Sequence, residues 1–243
     1  MLRYVMAVIV IVLAGCGGGG GGGSDDGASI AGMWSGTVMS TNGQTTEVLG
    51  VVSSENEMRL FASTLDIQYA GKVSVRGDQG SGTLRGYISD DLFYNDQPVA
   101  DFDVSFTVVE GVSIQGQYVT QGDRGSFALR YSPGAERQSS LLDLVGTWGG
   151  YNLDSEWVEA TIDNSGQISV LFSSGCEANG MVSLPSYDWS IYNATVSVTS
   201  CGEFNGSYSG LMHLREAFTS EELLWMMLSN RDFSYMDLMT RFR

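Results

Sequence analysis

The chain has 243 residues, with 28 acidic and 12 basic side chains, a formal net charge of −16 and a single lysine, Lys72. Such an acidic chain would be repelled by nucleic acid and by anionic lipid surfaces, so neither is expected as a direct partner. Glycine is abundant and proline scarce. Together with β-branched and aromatic residues in short segments, this composition favours strands and turns over helices.

The first 15 residues have the layout of a secretory signal. Arg3 is followed by an apolar run, Tyr4–Leu13, which is too short to span a bilayer. The run ends in Leu13-Ala14-Gly15-Cys16, which resembles the lipobox of bacterial lipoproteins, whose signal peptidase cuts before the cysteine. The resemblance implies a removed signal peptide over 1–15 and a lipidated Cys16 whose acyl chains hold the protein in a membrane. The alternative is an ordinary secretory signal with a chance cysteine.

Residues 16–27 are predicted to be a flexible tether. Seven consecutive glycines, Gly17–Gly23, are followed by Ser24-Asp25-Asp26-Gly27, and such a segment has nothing to bury. Its root-mean-square reach is roughly 20 Å. In lipoproteins of Gram-negative bacteria, an aspartate after the acylated cysteine retains the protein at the inner membrane. Gly17 occupies that position here, so the resemblance implies the outer membrane.

Eight short strands are predicted in a first module, residues 28–132. Several of them alternate apolar with polar residues, as in a sheet with one solvated face. Gly77–Gly80 and Gly122–Gly125 are predicted hairpin turns. The predicted strands are Trp34–Val38, Glu47–Val52, Met58–Phe61, Ile67–Val73, Gly82–Tyr87, Phe102–Val108, Ser113–Tyr118 and Ser126–Tyr131.

A polar, turn-forming linker is predicted over 133–140, and a second module over 141–243. Its predicted strands include Val158–Ile162, Gln167–Phe172 and Tyr192–Val198, with a turn at Asp163–Gly166. The composition of Glu221–Leu228 would also suit a helix. Because this segment falls where Phe127–Tyr131 falls in the first module, we predict a strand.

Three collinear matches indicate that the second module repeats the first. The all-β class therefore takes the form of two tandem small antiparallel β-barrels or sandwiches of about eight strands each. The matches pair Gly32–Gly36 with Gly146–Gly150, Gly71–Val75 with Gly180–Leu184, and Gly116–Tyr118 with Gly206–Tyr208.

The Gly-x-Trp opening of each module resembles the first-strand signature of lipocalin-like barrels. The resemblance implies that Trp34 and Trp148 close one end of each barrel, and that an arginine of the last strand stacks on the tryptophan. Arg130 and Arg241 are the possible counterparts of that arginine. The two-module chain is also similar to uncharacterised envelope lipoproteins of Gram-negative bacteria, a resemblance that implies no activity.

The three cysteines divide into a lipid attachment site and a pair. With Cys16 used by the lipid, Cys176 and Cys201 are predicted to form a disulfide in an exported chain. A metal site would need more ligands, and the chain holds one histidine, His213. We therefore predict neither a metal nor a cofactor.

No catalytic residue is nominated, and the chain is predicted not to be an enzyme. It has no Gly-x-Ser-x-Gly elbow and no phosphate-binding loop. His213 could be a general base, but a structural role is favoured. The paired carboxylates could serve a glycosidase or bind calcium, although such pairs are usually solvated. They are Asp90 with Asp91, Asp101 with Asp103, and Glu221 with Glu222.

Two classes of function remain, binding and structural work. The favoured hypothesis is a membrane-anchored envelope lipoprotein that acts as a non-enzymatic interaction module for an envelope protein. The alternatives are a lipocalin-like carrier of a small apolar ligand or lipid, and a structural or assembly component of the outer membrane. An eight-stranded barrel can hold one small ligand, but aromatic side chains are expected to fill the first module. These are Tyr69, Tyr87, Phe102, Phe106, Tyr118, Phe127 and Tyr131.

Overall fold

A computed structural model describes residues 27–88, 98–152, 156–216 and 222–242. The predicted lipobox, Cys16, Asp90, Asp91 and Glu221 lie outside the described residues, as does the tether apart from its last residue.

The fold is all-β, as predicted, and consists of two closed antiparallel barrels of eight strands each. In barrel 1 each strand pairs with the next, and β8 closes the barrel against β1, where Gly36 lies opposite Leu129. All eight strands predicted for the first module are confirmed. They are β1 Gly32–Ser40, β2 Thr45–Val52, β3 Glu57–Ala62, β4 Ile67–Arg76, β5 Gln79–Ile88, β6 Val99–Val109, β7 Ser113–Thr120 and β8 Asp123–Ser132.

Barrel 2 has the same strand order and closes between β16 and β9, where Arg241 lies opposite Trp148. The ambiguous segment near residue 221 forms a strand, β15, which confirms that prediction. The strands are β9 Gly146–Tyr151, β10 Trp157–Ile162, β11 Gln167–Phe172, β12 Glu177–Ser183, β13 Ile191–Thr199, β14 Gly206–Glu216, β15 Glu222–Ser229 and β16 Ser234–Arg241.

The turn predicted at Asp163–Gly166 is confirmed and joins β10 to β11, whereas both turns predicted in barrel 1 lie earlier than expected. Arg76 already pairs with Gln79, so only Gly77 and Asp78 join β4 to β5. The β7–β8 turn lies earlier than predicted, because Thr120 already pairs with Asp123 and only Gln121 and Gly122 lie between them.

The repeat between the modules holds for two of the three matches. The first match lies on the first strand of each barrel, and the second on the fourth strand. The third match is wrong, because Gly116–Tyr118 lies on the seventh strand of barrel 1 and Gly206–Tyr208 on the sixth strand of barrel 2. At Gly116 an added Cβ would lie 2.3 Å from the Ser105 carbonyl oxygen and 2.6 Å from the Cβ of Phe106. A glycine is therefore required there by the close approach of the neighbouring strand, a need that can arise on any strand.

The two barrels pack side by side through outward-facing residues. A buried apolar cluster at the contact joins residues of β1 and β2 to residues of β13, β14 and β15. Arg59 of barrel 1, 5% exposed, donates to the Ser229 hydroxyl and to the Ser209 carbonyl of barrel 2. The cluster consists of Met33, Val51, Ala135, Ile191, Leu211, Trp225 and Met227.

The predicted linker is packed into this contact. Ala135 is fully buried, and its carbonyl accepts from the Ser190 backbone at 2.8 Å. Tyr87, which was expected inside barrel 1, also lies here: its hydroxyl donates to the Asn230 carbonyl of barrel 2 at 2.6 Å. Strand alternation explains the error, because Leu84 belongs to the barrel 1 core and a residue three positions later on the same strand points outward.

Candidate functional site at the open barrel ends

One end of each barrel is closed by a tryptophan held in the same way. Trp34 and Trp148 are both 0% exposed. The Nε1 of Trp34 donates to the Ile30 carbonyl, and that of Trp148 to the Leu144 carbonyl, each at 2.8 Å. Both indoles are therefore buried with their only polar atom satisfied.

The glycine of each Gly-x-Trp opening has a backbone conformation that favours glycine. Gly32 has a φ of 130° and Gly146 a φ of 137°, values that side-chain-bearing residues rarely adopt. The repeated glycine therefore fixes the direction in which the first strand enters each barrel.

The residue that packs on the tryptophan differs between the barrels. Arg241 lies over the Trp148 ring at 4.5 Å and pairs with Glu222 at 3.0 Å. In barrel 1 the edge contact to Trp34 comes from Tyr131, at 5.2 Å between ring centroids. The assignment of Arg130 was wrong, because strand alternation turns Arg130 to the exposed outer face.

Barrel 1 opens at the opposite end into a cavity of about 180 Å³. Tyr69, Phe102 and Tyr118 lie between this mouth and a smaller apolar cavity of about 40 Å³ deeper in the barrel. Burial, together with the charge of Asp123, raises the pKa of Tyr69 to about 12. The other residues of the mouth are Val38, Ser40, Gln44, Thr46, Leu65, Ile67, Ile88 and Asp123.

Several of the expected aromatic side chains, among them Phe102, Phe106 and Tyr118, thus help to fill the inside of barrel 1 together with aliphatic residues. The deep cavity holds a few water-sized volumes at most, far less than an acyl chain requires. The mouth is larger than the roughly 150 Å³ that suffices for a benzene-sized group.

Barrel 2 opens into a cavity of about 210 Å³ with mostly aromatic and aliphatic walls. Cys176 and Cys201 line it and are joined by a disulfide, with Cα atoms 4.9 Å apart. This bond connects the β11–β12 loop to the β13–β14 loop at the rim. The walls also include Asn152, Glu156, Val170, Phe172, Ala178, Val196, Val198, Phe204, Tyr208, Met226, Leu228, Phe233, Ser234 and Tyr235.

Two aromatic pairs shape the barrel 2 mouth. Phe172 and Tyr235 make an edge contact at 5.5 Å, and Phe204 and Phe233 make another at 4.9 Å. Phe204 is 48% exposed. Its 3-10 turn, Gly202–Phe204, directly follows the disulfide-bonded Cys201, so the covalent bond restrains the ring at the rim.

Buried acidic and phenolic groups lie behind these walls. The Tyr235 hydroxyl donates to Asp237 at 2.8 Å. Burial, together with the charge of Asp237, raises the pKa of Tyr235. The pKa of the Asp237 carboxyl is raised by its burial, although the bonds from Tyr235 and from the Leu238 backbone lower it.

The described members of the carboxylate pairs singled out in the sequence, Asp101, Asp103 and Glu222, line neither mouth. On the outer face of barrel 1, Asp101 pairs with Arg85 at 3.0 Å and Asp103 accepts from Thr83 at 2.7 Å. Among the described residues, no group of three or more potential metal ligands occurs. Sequence reasoning missed Glu156 and Phe204, because no motif marks either of them.

His213 lies in a buried position beside the linker. Its Nδ1 is 3.0 Å from the Ser190 carbonyl. Burial lowers the pKa of His213 to about 4, against the raising effect of that hydrogen bond. The imidazole is therefore neutral at pH 7 and touches neither mouth.

Comparisons with known proteins add little. No protein-family model matches the chain, and no curated protein is similar to it. Among solved structures, the chain is similar to a "putative outer membrane protein" from Bacteroides fragilis NCTC 9343, at 12% identity over 88% of this chain and 98% of that one. The TM-score is 0.28, so this similarity carries no inference about function. Within the described residues, no helix has the length and apolar character needed to cross a membrane.

Proposed function

We propose that this protein is a lipid-anchored envelope protein that binds a partner, without catalysis, through the open ends of its two barrels. The observation that carries the proposal is that both barrels have one closed end and one open end. Each has one end closed by a buried tryptophan and another that opens into a cavity of about 180 or 210 Å³.

The size of these cavities favours recognition of a small group over storage of a whole lipid. Ligand pockets for drug-sized molecules are typically about 300–1,000 Å³, and both mouths are smaller. A ring or a short side chain presented by a partner fits them better. The carrier of a small apolar ligand is the second candidate, favoured by the apolar lining of the barrel 2 mouth.

The anchor is supported by the lipobox-like Leu13-Ala14-Gly15-Cys16 and by the glycine run that follows it. Replacing Cys16 with Ser is expected to release the protein from membranes and to abolish acyl labelling. Membrane fractionation of the two proteins measures this, and continued sedimentation of the variant with membranes would contradict the anchor.

Native mass spectrometry of the lipidated protein, isolated from its own envelope in a non-ionic detergent, tests the binding proposal. We expect a protein partner and no stoichiometric small molecule. A lipid or other small molecule bound at stoichiometric level would overturn this preference and favour the carrier. The protein found only by itself, without partner or ligand, would contradict both.

A further inference from the structure

We propose that the barrel 2 mouth is a site for an organic cation, such as an alkylammonium group. This inference rests on the proposed function, because it names the chemistry of one of the two open ends. The supporting observation is that several aromatic rings and the carboxylate of Glu156 line the same cavity.

Aromatic rings form the walls that such a cation would contact. Phe172, Phe204, Phe233, Tyr208 and Tyr235 all line the cavity. The face of an aromatic ring carries partial negative charge, so a group of rings around one space attracts a cation and also accommodates its methyl groups. This combination is the one used to recognise quaternary ammonium ions.

Hydrogen bonds position two of these rings, and one of the bonds makes the face of its ring more attractive to a cation. The Tyr208 hydroxyl donates to the Phe204 carbonyl at 2.9 Å, which ties the rim to the wall. The Tyr235 hydroxyl donates to the Asp237 carboxylate at 2.8 Å. Such a bond polarises the phenol and makes its ring face more negative.

Glu156 supplies a carboxylate at the same cavity. Its Oε1 accepts from the Ser174 backbone at 2.7 Å, which fixes the side chain. Within the described part of the chain, no hydrogen bond reaches its Oε2. A cation in the mouth would therefore meet an already positioned carboxylate oxygen.

The surrounding charge has the sign that a cation requires. The described residues of the rim loops include Glu156, Glu203 and Asp232, against Arg231 alone. The whole chain carries −16, which also attracts cations.

Barrel 1 has a different mouth and serves as an internal comparison. Its acidic residue, Asp123, accepts from the hydroxyls of Tyr118 at 2.9 Å and Thr41 at 3.3 Å. Hydroxyl and amide groups, including Gln44 and Thr46, share its lining. We therefore expect the cation in barrel 2 only.

The test titrates the full chain with choline and, separately, with 3,3-dimethylbutan-1-ol, a neutral molecule of the same shape. Methyl NMR of labelled methionines gives a reporter for each barrel, because Met226 lines the barrel 2 mouth and Met58 the barrel 1 interior. The detergent must be a maltoside, since phosphocholine detergents carry the same cation as the probe.

We expect choline to shift the Met226 signal and to bind about tenfold more tightly than the neutral molecule. Glu156→Gln and Phe204→Ala should each weaken choline binding about fivefold or more. Glu159→Gln removes the same charge three positions later, on the outer face of β10, and should leave binding unchanged. Thermal unfolding of each variant shows whether it folds. If Phe204→Ala does not fold, the result for Glu156→Gln decides the test by itself.

Three results would overturn the inference. Equal affinity for both probes would leave an apolar mouth without cation preference, and the proposed function would stand. Shifts at Met58 in place of Met226 would put the cation in the wrong barrel. Absence of choline binding would remove the cation site, while the partner found by native mass spectrometry would still decide the proposed function.

Discussion

At the scale of single residues, the two tryptophan closures differ in what covers the ring. Arg241 covers Trp148 and also pairs with Glu222, whereas Arg130 lies exposed on the outer face. We expect Arg241→Met to lower the free energy of unfolding by about 1–2 kcal/mol, because a cation–π contact and a partly buried ion pair are lost. Arg130→Met, the matched control, should change it by less than about 0.5 kcal/mol. Urea unfolding measures both, and equal losses would contradict the assignment.

His213 predicts a pH dependence of stability. Its pKa is lowered to about 4 by burial, with smaller contributions from the charges of Arg215 and Arg137, against an unfolded value of 6.5. Between these values the unfolded chain binds more protons than the folded chain. Stability is therefore expected to fall as the pH falls from about 6.5 to about 4, by about 3 kcal/mol for this group.

Because the chain holds a single histidine, NMR titration of its imidazole reports this pKa directly. His213→Gln should remove that part of the pH dependence from the unfolding curves, which separates it from the carboxylates. An imidazole that titrates near 6.5 in the folded protein would contradict the account.

Single residues were predictable where a local pattern determines them and not where a neighbour does. The Gly-x-Trp motif marked Trp34 and Trp148, because the structural role of both residues is local. The glycine adopts a positive φ at the start of the first strand, and the indole bonds to the carbonyl four positions before it. Tyr87 was misplaced, because the side of the strand on which it lies depends on register. Its actual partner, the carbonyl of Asn230, is 143 positions away.

At the scale of elements, β15 shows how tertiary contacts alter a strand pattern. Its inward residues, such as Leu224 and Met226, belong to the barrel 2 core, while Trp225 and Met227 face barrel 1. A strand buried on both faces has a continuous apolar sequence without alternation. Its resemblance to a helix therefore arose from the contact with barrel 1, whose position the sequence does not give.

The disulfide is the covalent element of the barrel 2 mouth. Cys176 and Cys201 are 25 positions apart, and closing a loop of that length stabilises the folded chain by about 3 kcal/mol on the chain-entropy account. Replacing both cysteines with Ser is expected to lower the free energy of unfolding by that amount, measured with urea, and to loosen Phe204.

Non-reducing peptide mapping of the mature protein provides the chemical check. The two peptides should be found linked, without a free thiol. Alkylation of both cysteines in the absence of reductant would show that the pairing is incorrect.

At the scale of the whole molecule, the contact between the barrels makes them one unit. Val51, 0% exposed, faces barrel 2, whereas Val119 is an outward valine of barrel 1 with 57% exposure. We expect Val51→Asp to lower stability by more than about 2 kcal/mol, because it buries a carboxylate in an apolar contact, and the guanidinium of Arg59, which lies opposite on β3, already pairs with Glu57 at 2.7 Å. Val119→Asp should change stability by less than about 0.5 kcal/mol.

Differential scanning calorimetry distinguishes the two valine variants further. The parent protein should unfold in one transition, and Val51→Asp in two, one for each barrel. The same two-step unfolding in the parent protein would show that the contact does not couple the barrels.

The fold class and the number of modules followed from strand spacing and from the repeated openings, but the choice of barrels over sandwiches and the contact between the barrels did not. Outward apolar residues such as Leu211 and Met227 look in the sequence like ordinary core residues. Their role depends on how the outer surfaces of the two barrels pack together. The composition of each mouth depends on which loops lie at the same end of a barrel.

The central claim, that the open ends bind the partner, is tested most directly by photo-cross-linking in the native envelope. A photoreactive amino acid replaces Phe204 at the barrel 2 rim or, as the matched control, Leu171 on the outer wall. Both side chains are about half exposed in the protein, at 48% and 50%. The account predicts a specific adduct from position 204 and none from position 171, whereas an adduct from the wall alone would contradict it.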